Sequence, residues 1–134
     1  MQKIFALRLH PGDDLKKSLG AFAKQHNIEA GYIITCVGSL TECNLRYAGQ
    51  TEGLLIAGKF EILCLSGTLS VYGIHLHVAL ADAKGVAIGG HLLDGNIIYT
   101  TAEIVIGDAT NLRFTRAADE VTGYSELVVE RREI

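Results

Sequence analysis

Gly73-Ile74-His75-Leu76-His77-Val78-Ala79-Leu80-Ala81-Asp82 decides how this chain folds. Successive side chains of a strand alternate faces, so Leu76, Val78 and Leu80 point one way and His75, His77 and Ala79 the other. The aliphatic face belongs to a core. The opposite face presents two imidazoles one strand repeat apart, roughly 6.5–7 Å between Cα atoms. Upstream, Thr68 to Tyr72 reads as an antiparallel partner, turned back around Gly73. Downstream, Asp82 and Gly85 suit a turn, and Gly85, Gly89 and Gly90 bracket a short strand over Val86 to Ile88. The chain then reaches Gly89-Gly90-His91-Leu92, where the glycines let the backbone come close to its neighbour.

Outward from this centre the pattern stays β-rich. Residues 2 to 9 alternate apolar and polar and end at His10-Pro11-Gly12. Asp13-Asp14 offers a helix N-cap, and Leu15, Leu19, Phe22 and Ala23 recur with helical spacing, with Asn27 as a left-handed stop. Tyr32 to Val37, Glu42 to Ala48 and Lys59 to Leu65 read as short strands punctuated by Gly38, Gly49, Gly53, Gly58 and Gly67. Ile97 to Ile106, Leu112 to Arg116 and Tyr124 to Glu130 complete the set. Fifteen glycines against one proline agree with short strands joined by bends. One main N-terminal helix and these short strands predict an α+β class with a largely antiparallel β-sheet, forming a single domain over residues 1–134.

His75, His77 and His91, brought from two adjacent segments, can converge on one cation. Three histidines leave the fourth position of a tetrahedral zinc site open to water or an anionic ligand. An H-x-H pair on a strand also occurs as plain surface or interfacial histidine. His10 and His26 lack such company and read as structural, His26 at the negative end of the helix. Carboxylates that could join the site are Glu61, Asp82 and Glu103. Glu61 and Glu103 each interrupt an apolar strand, so each either faces solvent or is a paired acid. Solvent is the default for Glu61, and Glu103 is the preferred partner for an imidazole N–H. No G-x-S-x-G elbow or P-loop is present.

Hydrophobic residues make up 49% of the chain and charged residues 20%, a globular balance. No apolar run approaches the roughly 18 residues of a membrane-spanning helix. Lys3 and Arg8 interrupt any signal-peptide core, so a cytoplasmic protein is expected. Cys36, Cys43 and Cys64 form no C-x-x-C pair and read as free buried thiols of a reducing compartment. Twelve basic against fifteen acidic residues give a net charge of −3, with no general pull toward a polyanion. Lys16-Lys17 and Arg131-Arg132 are the adjacent basic pairs, and with Lys24 they could gather a local basic face in an assembly.

Gly58-Lys59-Phe60-Glu61-Ile62-Leu63, Leu65-Ser66-Gly67, Ile74 to Asp82, Gly85-x-x-x-Gly89-Gly90-His91-Leu92 and Thr101-Ala102-Glu103-Ile104-Val105-Ile106-Gly107 together resemble the PPC (plants and prokaryotes conserved) domain, in order and spacing, over about residues 3 to 130. The resemblance implies a stand-alone prokaryotic type that assembles as a homotrimer and carries a DNA-binding or regulatory label. It also implies a fold similar to acetolactate decarboxylase and to a zinc-dependent ester hydrolase, both of which hold zinc with three histidines, and zinc binding in some prokaryotic members through histidines that match His75, His77 and His91. In plant members a stretch like Gly58 to Leu63 is implicated in partner binding and the domain follows an AT-hook. This chain has no Arg-Gly-Arg tripeptide, so the DNA label does not transfer on physical grounds.

Three functional classes follow. One is a trimeric regulatory protein acting through protein partners or nucleic acid. Another is a zinc enzyme of decarboxylase or hydrolase type on a small oxo-acid or ester, with Glu103 or Glu61 moving a proton. The last is a sensor binding a small anionic metabolite.

Overall fold

A computed structural model of the chain describes residues 1–133; Ile134, the last residue of the expected domain, lies outside them. Among the described residues the order is β1 (Lys3–Leu9), α1 (Leu15–Gln25), β2 (Gly31–Arg46), β3 (Leu54–Ser70), β4 (Gly73–Ala81), β5 (Ala87–Leu92), β6 (Ile97–Asp108), β7 (Leu112–Ala118) and β8 (Ser125–Arg131). Six strands form one sheet in the order β1-β6-β2-β3-β4-β5, and β7-β8 is a separate antiparallel hairpin. Every pairing is antiparallel, which places the chain in the expected α+β class.

Two strands are longer than their sequence suggests. Gly38 lies inside β2 and Gly58 and Gly67 lie inside β3, where each was read as punctuation. At Gly38 the cause is a close approach: an added Cβ would strike the backbone of Thr101 and Ala102 on β6. Gly67 has φ +136 and abuts the His75 carbonyl on β4, a conformation and a clearance that only glycine satisfies. Register shifts at Ile33/Thr35, Gly38/Leu40 and Leu40/Glu42 bend β2 so strongly that its far end meets β5, with Leu45 opposite Leu92 and Arg46 opposite His91. The sheet thereby curls on itself, β2-β3-β4-β5 closing a ring of pairings.

The curl encloses the core. Leu40, Leu45, Leu69, Leu76, Leu80, Leu92, Ile98, Ile104 and Ile106 are fully buried, and α1 closes it with Leu15, Leu19 and Ala23. Burying each Leu or Ile side chain contributes about 1.5–3 kcal/mol. Asp14 caps α1 as expected: Oδ1 accepts the Lys17 N–H at 3.1 Å, while Oδ2 accepts the Gly95 N–H at 2.8 Å and ties the helix to the β5–β6 connection. Asn27 takes the left-handed conformation with φ 48. Asn96, fully buried, is satisfied on both sides: Oδ1 accepts the Asn44 N–H at 3.0 Å and Nδ2 donates to the Leu93 and Asn44 carbonyls. That network fixes the segment that follows His91.

The β7-β8 hairpin is held to the main sheet by an ion cluster. Glu29 accepts from Arg113 Nε at 2.9 Å and from Arg132 Nη1 at 2.8 Å, and Arg132 also reaches Asp108 at 3.5 Å. Arg132 is therefore consumed internally and does not contribute to a free basic face. All three cysteines are free, but only Cys36 and Cys43 are buried; Cys64, expected inside, is exposed on β3. Burial, then the neighbouring Cys64, pushes the Cys36 thiol up to about 11. Among the described residues no helix is long and apolar enough to cross a membrane.

Candidate metal centre

The alternation read from residues 73–82 is what the structure shows. Leu76, Val78 and Leu80 are buried, while His75 and His77 stand on the open face of β4. His91 arrives from β5 as the direct cross-strand neighbour of His77. This register requires two close backbone contacts. A Cβ on Gly89 would meet the Val78 carbonyl at 2.7 Å, and one on Gly90 would meet the Arg46 carbonyl at 2.8 Å. The two glycines thus let β5 pack between β4 and the end of β2, carrying His91 to its place.

The three rings form a tight triangle, with centroids 5.1 Å (His75–His77), 5.3 Å (His75–His91) and 5.7 Å (His77–His91) apart. One ring nitrogen from each lies within 4.8 Å of the others. Small side-chain rotations bring such a set to the roughly 3.3 Å nitrogen spacing of a tetrahedral ion with bonds of about 2.0–2.1 Å. Burial, then the charges of Arg46, His75, Lys16 and His77, lowers the His91 pKa to about 4. Burial, then the His77 and Arg116 charges, also lowers that of His75. A metal ligand must be the neutral imidazole, so this environment favours the ligand form of His75 and His91. Among the described residues His91 Nδ1 is in addition buried with no hydrogen-bond partner. A buried polar atom without a partner needs an explanation, and a cation among the rings supplies one.

The cluster opens into a cavity of about 940 Å³. Besides the histidines, its walls carry Arg46, Tyr47, Tyr72, Arg116, Tyr124 and Glu126. Arg46 belongs to β2, whereas Arg116 and Glu126 come from the β7-β8 hairpin, which forms the opposite wall. Arg116 Nη2 donates to Thr68 Oγ1 at 3.2 Å, and Thr68 is the register partner of His75.

Neither carboxylate expected from the sequence is at this centre. Glu103 is exposed on β6 between Arg8 of β1 and Val37 of β2, nine β2 positions from Arg46, and does not line the cavity. Glu61 is exposed opposite Ala81, four positions along β4 from His77 and hence about 13 Å away. Both positions follow from the strand order and register. Asp82 instead closes the β4–β5 turn, accepting the N–H groups of Lys84 and Val86 at 2.9 Å. Glu126 is the carboxylate that does line the cavity. Sequence reasoning missed it because a C-terminal hairpin folding back over β3 and β4 leaves no local signal.

His26 caps α1 and packs its ring on Phe22 at 4.2 Å between centroids, and His10 lies beside Asp13, so neither joins the three-histidine cluster.

Fold and site together define a class: small α+β domains whose curled antiparallel sheet displays three histidines at metal-ligand spacing. The sequence profile of the Plants and Prokaryotes Conserved (PCC) domain matches residues 1–110, and the chain belongs to that family. A solved hypothetical protein from Salmonella enterica superposes with a TM-score of 0.97 at 42% identity, covering 99% of this chain and 96% of that one. A metal-containing protein from Archaeoglobus fulgidus superposes with a TM-score of 0.79 at 29% identity, over 94% of this chain and 93% of that one. The bifunctional protein GlmU of Synechococcus sp. (strain JA-3-3Ab) is 50% identical over 129 residues, which are 96% of this chain and 21% of GlmU. The chain thus spans about a fifth of that relative's length.

Proposed function

We propose that this PCC-domain chain works as a homotrimer in which His75, His77 and His91 hold a zinc ion, in a cavity open to a small anionic ligand. The observation that carries the reading is the convergence of three imidazole nitrogens within 4.8 Å on a rigid strand pair. The lowered pKa values and the unpartnered His91 Nδ1 support it, as does the metal-containing archaeal structure. Zinc suits three neutral imidazoles with one open position, and when bound it would supply a Lewis acid that polarises an oxygen of the ligand.

Self-association is supported by apolar side chains left on the outer face of the sheet. Val37 and Leu63 flank the register pair Gly38–Ile62, and each is 58% exposed. A face of this kind is usually covered in an assembly. Light scattering on the purified chain should give the mass of a trimer, and Val37→Asp with Leu63→Asp should give the monomer. A monomeric wild type would end the trimer reading.

Catalysis on a small oxo-acid or ester is a second reading, favoured by the Glu126 carboxylate in the cavity wall. A carboxylate there can accept or return a proton beside the polarised ligand. Hydrolysis of 4-nitrophenyl acetate by the zinc-loaded chain should then fall at least a hundredfold in Glu126→Gln at unchanged zinc content. Equal rates in the two proteins would remove Glu126 from the chemistry. Tight direct binding to duplex DNA is not part of either reading: the net charge is −3, and Arg132 is paired with Glu29 and Asp108.

A further inference from the structure

We infer that Arg46 and Arg116 form a carboxylate-binding subsite beside the histidine cluster, so that the cavity takes small carboxylates carrying a second oxygen donor. The second half of that statement rests on the zinc reading above; the first does not. Arg46 is the register partner of His91, so its side chain rises on the same face of the curled sheet as the imidazole. Arg116 approaches from the facing wall. Its stem packs against Gly73, where an added Cβ would meet Arg116 Cγ at 3.0 Å, and its Nη2 is positioned by Thr68 Oγ1. Both guanidinium groups line the cavity, and both residues are only partly exposed.

What sets them apart is the lack of anionic partners. Arg113 and Arg132 are paired with Glu29, Glu130 or Asp108, whereas among the described residues neither Arg46 nor Arg116 makes an ion pair. Among the described residues Glu126 is the one carboxylate in the cavity wall, and it makes none either. Two guanidinium groups against one carboxylate give the cavity a positive balance in a chain whose net charge is −3. Partly desolvated cations that the fold leaves unpaired disfavour the empty pocket and favour an anion within it.

The chemistry of the pair narrows the anion. A guanidinium fork offers parallel N–H donors that match the two oxygens of a carboxylate. The histidine cluster adjoins both arginines in the same cavity, so a ligand held by its carboxylate presents its neighbouring oxygen to the metal position. A 2-oxo or 2-hydroxy acid has this arrangement; its ester has the second oxygen without the charge. Arg116 and Glu126 lie on the β7-β8 hairpin, beyond residues 1–110 matched by the family profile, so the hairpin supplies half of this subsite.

Isothermal titration with pyruvate and with methyl pyruvate, on zinc-loaded and on metal-free protein, tests the assignment. Pyruvate should bind at least tenfold more tightly than its methyl ester. Arg46→Gln and Arg116→Gln should each abolish that preference at wild-type zinc content, with Arg46→Lys retaining part of it. Zinc that fails to load, with an arginine-dependent preference for pyruvate persisting, would sink the zinc reading and keep the subsite. Equal affinity for the two probes, no pyruvate binding in either form, or an undiminished preference in both glutamine variants would overturn the subsite.

Discussion

Replacing Arg132 by Ala should detach one wall of the cavity from the sheet. Arg132 donates to Glu29 Oε2 at 2.8 Å, to the Leu112 carbonyl at 3.1 Å and to the Ala109 carbonyl at 3.3 Å, and it pairs with Asp108 at 3.5 Å. The side chains of Arg132, Glu29 and Asp108 are 19%, 13% and 7% exposed, so this is not a surface pair worth a fraction of a kcal/mol. Removing one partner of a fully buried pair costs about 3–5 kcal/mol. Glu29 keeps Arg113, and Asp108 keeps the Ala30 N–H, so the expected loss is smaller, about 2–3 kcal/mol. That is a large share of the roughly 5–15 kcal/mol by which domains are stable. Urea unfolding followed by circular dichroism measures it, and amide exchange in β7 and β8 should accelerate more than in β3 or β4.

The same cluster carries a pH signature. Burial alone would raise the Glu29 pKa, but hydrogen bonds from Arg113 and Tyr72 and the charges of Arg113 and Arg132 hold it below its ordinary value. A depressed carboxyl contributes stability above the unfolded pKa and loses it as pH falls through the folded one. The gap between wild type and Arg132→Ala should therefore narrow below about pH 4. A gap under about 0.5 kcal/mol at pH 7, within the scatter of ordinary surface changes, would refute the structural role given to Arg132.

Other expectations concern the site itself. Gly67→Ala should destabilise by about 1–3 kcal/mol and weaken zinc binding, because its φ of +136 and its contact with the His75 carbonyl leave no place for a Cβ; an unchanged melting temperature would contradict this. Metal-free protein should lose stability on acidification from about pH 6.5 toward 4, since His91 resists protonation in the folded state and accepts a proton when unfolded. The interval from 6.5 to about 4 corresponds to roughly 3 kcal/mol at full burial, which solvent screening of the half-buried ring reduces to about 1–2. His91→Asn should flatten that slope in denaturant titrations, and a slope unchanged by the substitution would contradict the assignment.

The histidine strand was legible because alternation is a local property. Residues 74–80 show the period of a half-buried strand, and the glycines before His91 allow the contacts that the β4–β5 register makes. Strand lengths were less legible, since a glycine that ends a strand and one that lets another backbone approach look alike in sequence. Gly38 and Gly67 are of the second kind. Glu103 and Glu61 drew attention as acids within apolar runs, but their placement depends on strand order and on bulges in β2, which are long-range outcomes. Arg46, Arg116 and Glu126 escaped notice for the same reason: they meet only after β2 bends onto β5 and the hairpin folds over β4.

Metal analysis of untagged protein, purified without chelator and reconstituted with zinc, puts the histidine cluster to its plainest test. About one zinc per chain is predicted for the wild type, with background levels in His77→Ala and full occupancy in His10→Ala. Equal zinc in wild type and His77→Ala, or none in either, would contradict the assignment of these three rings as a metal centre.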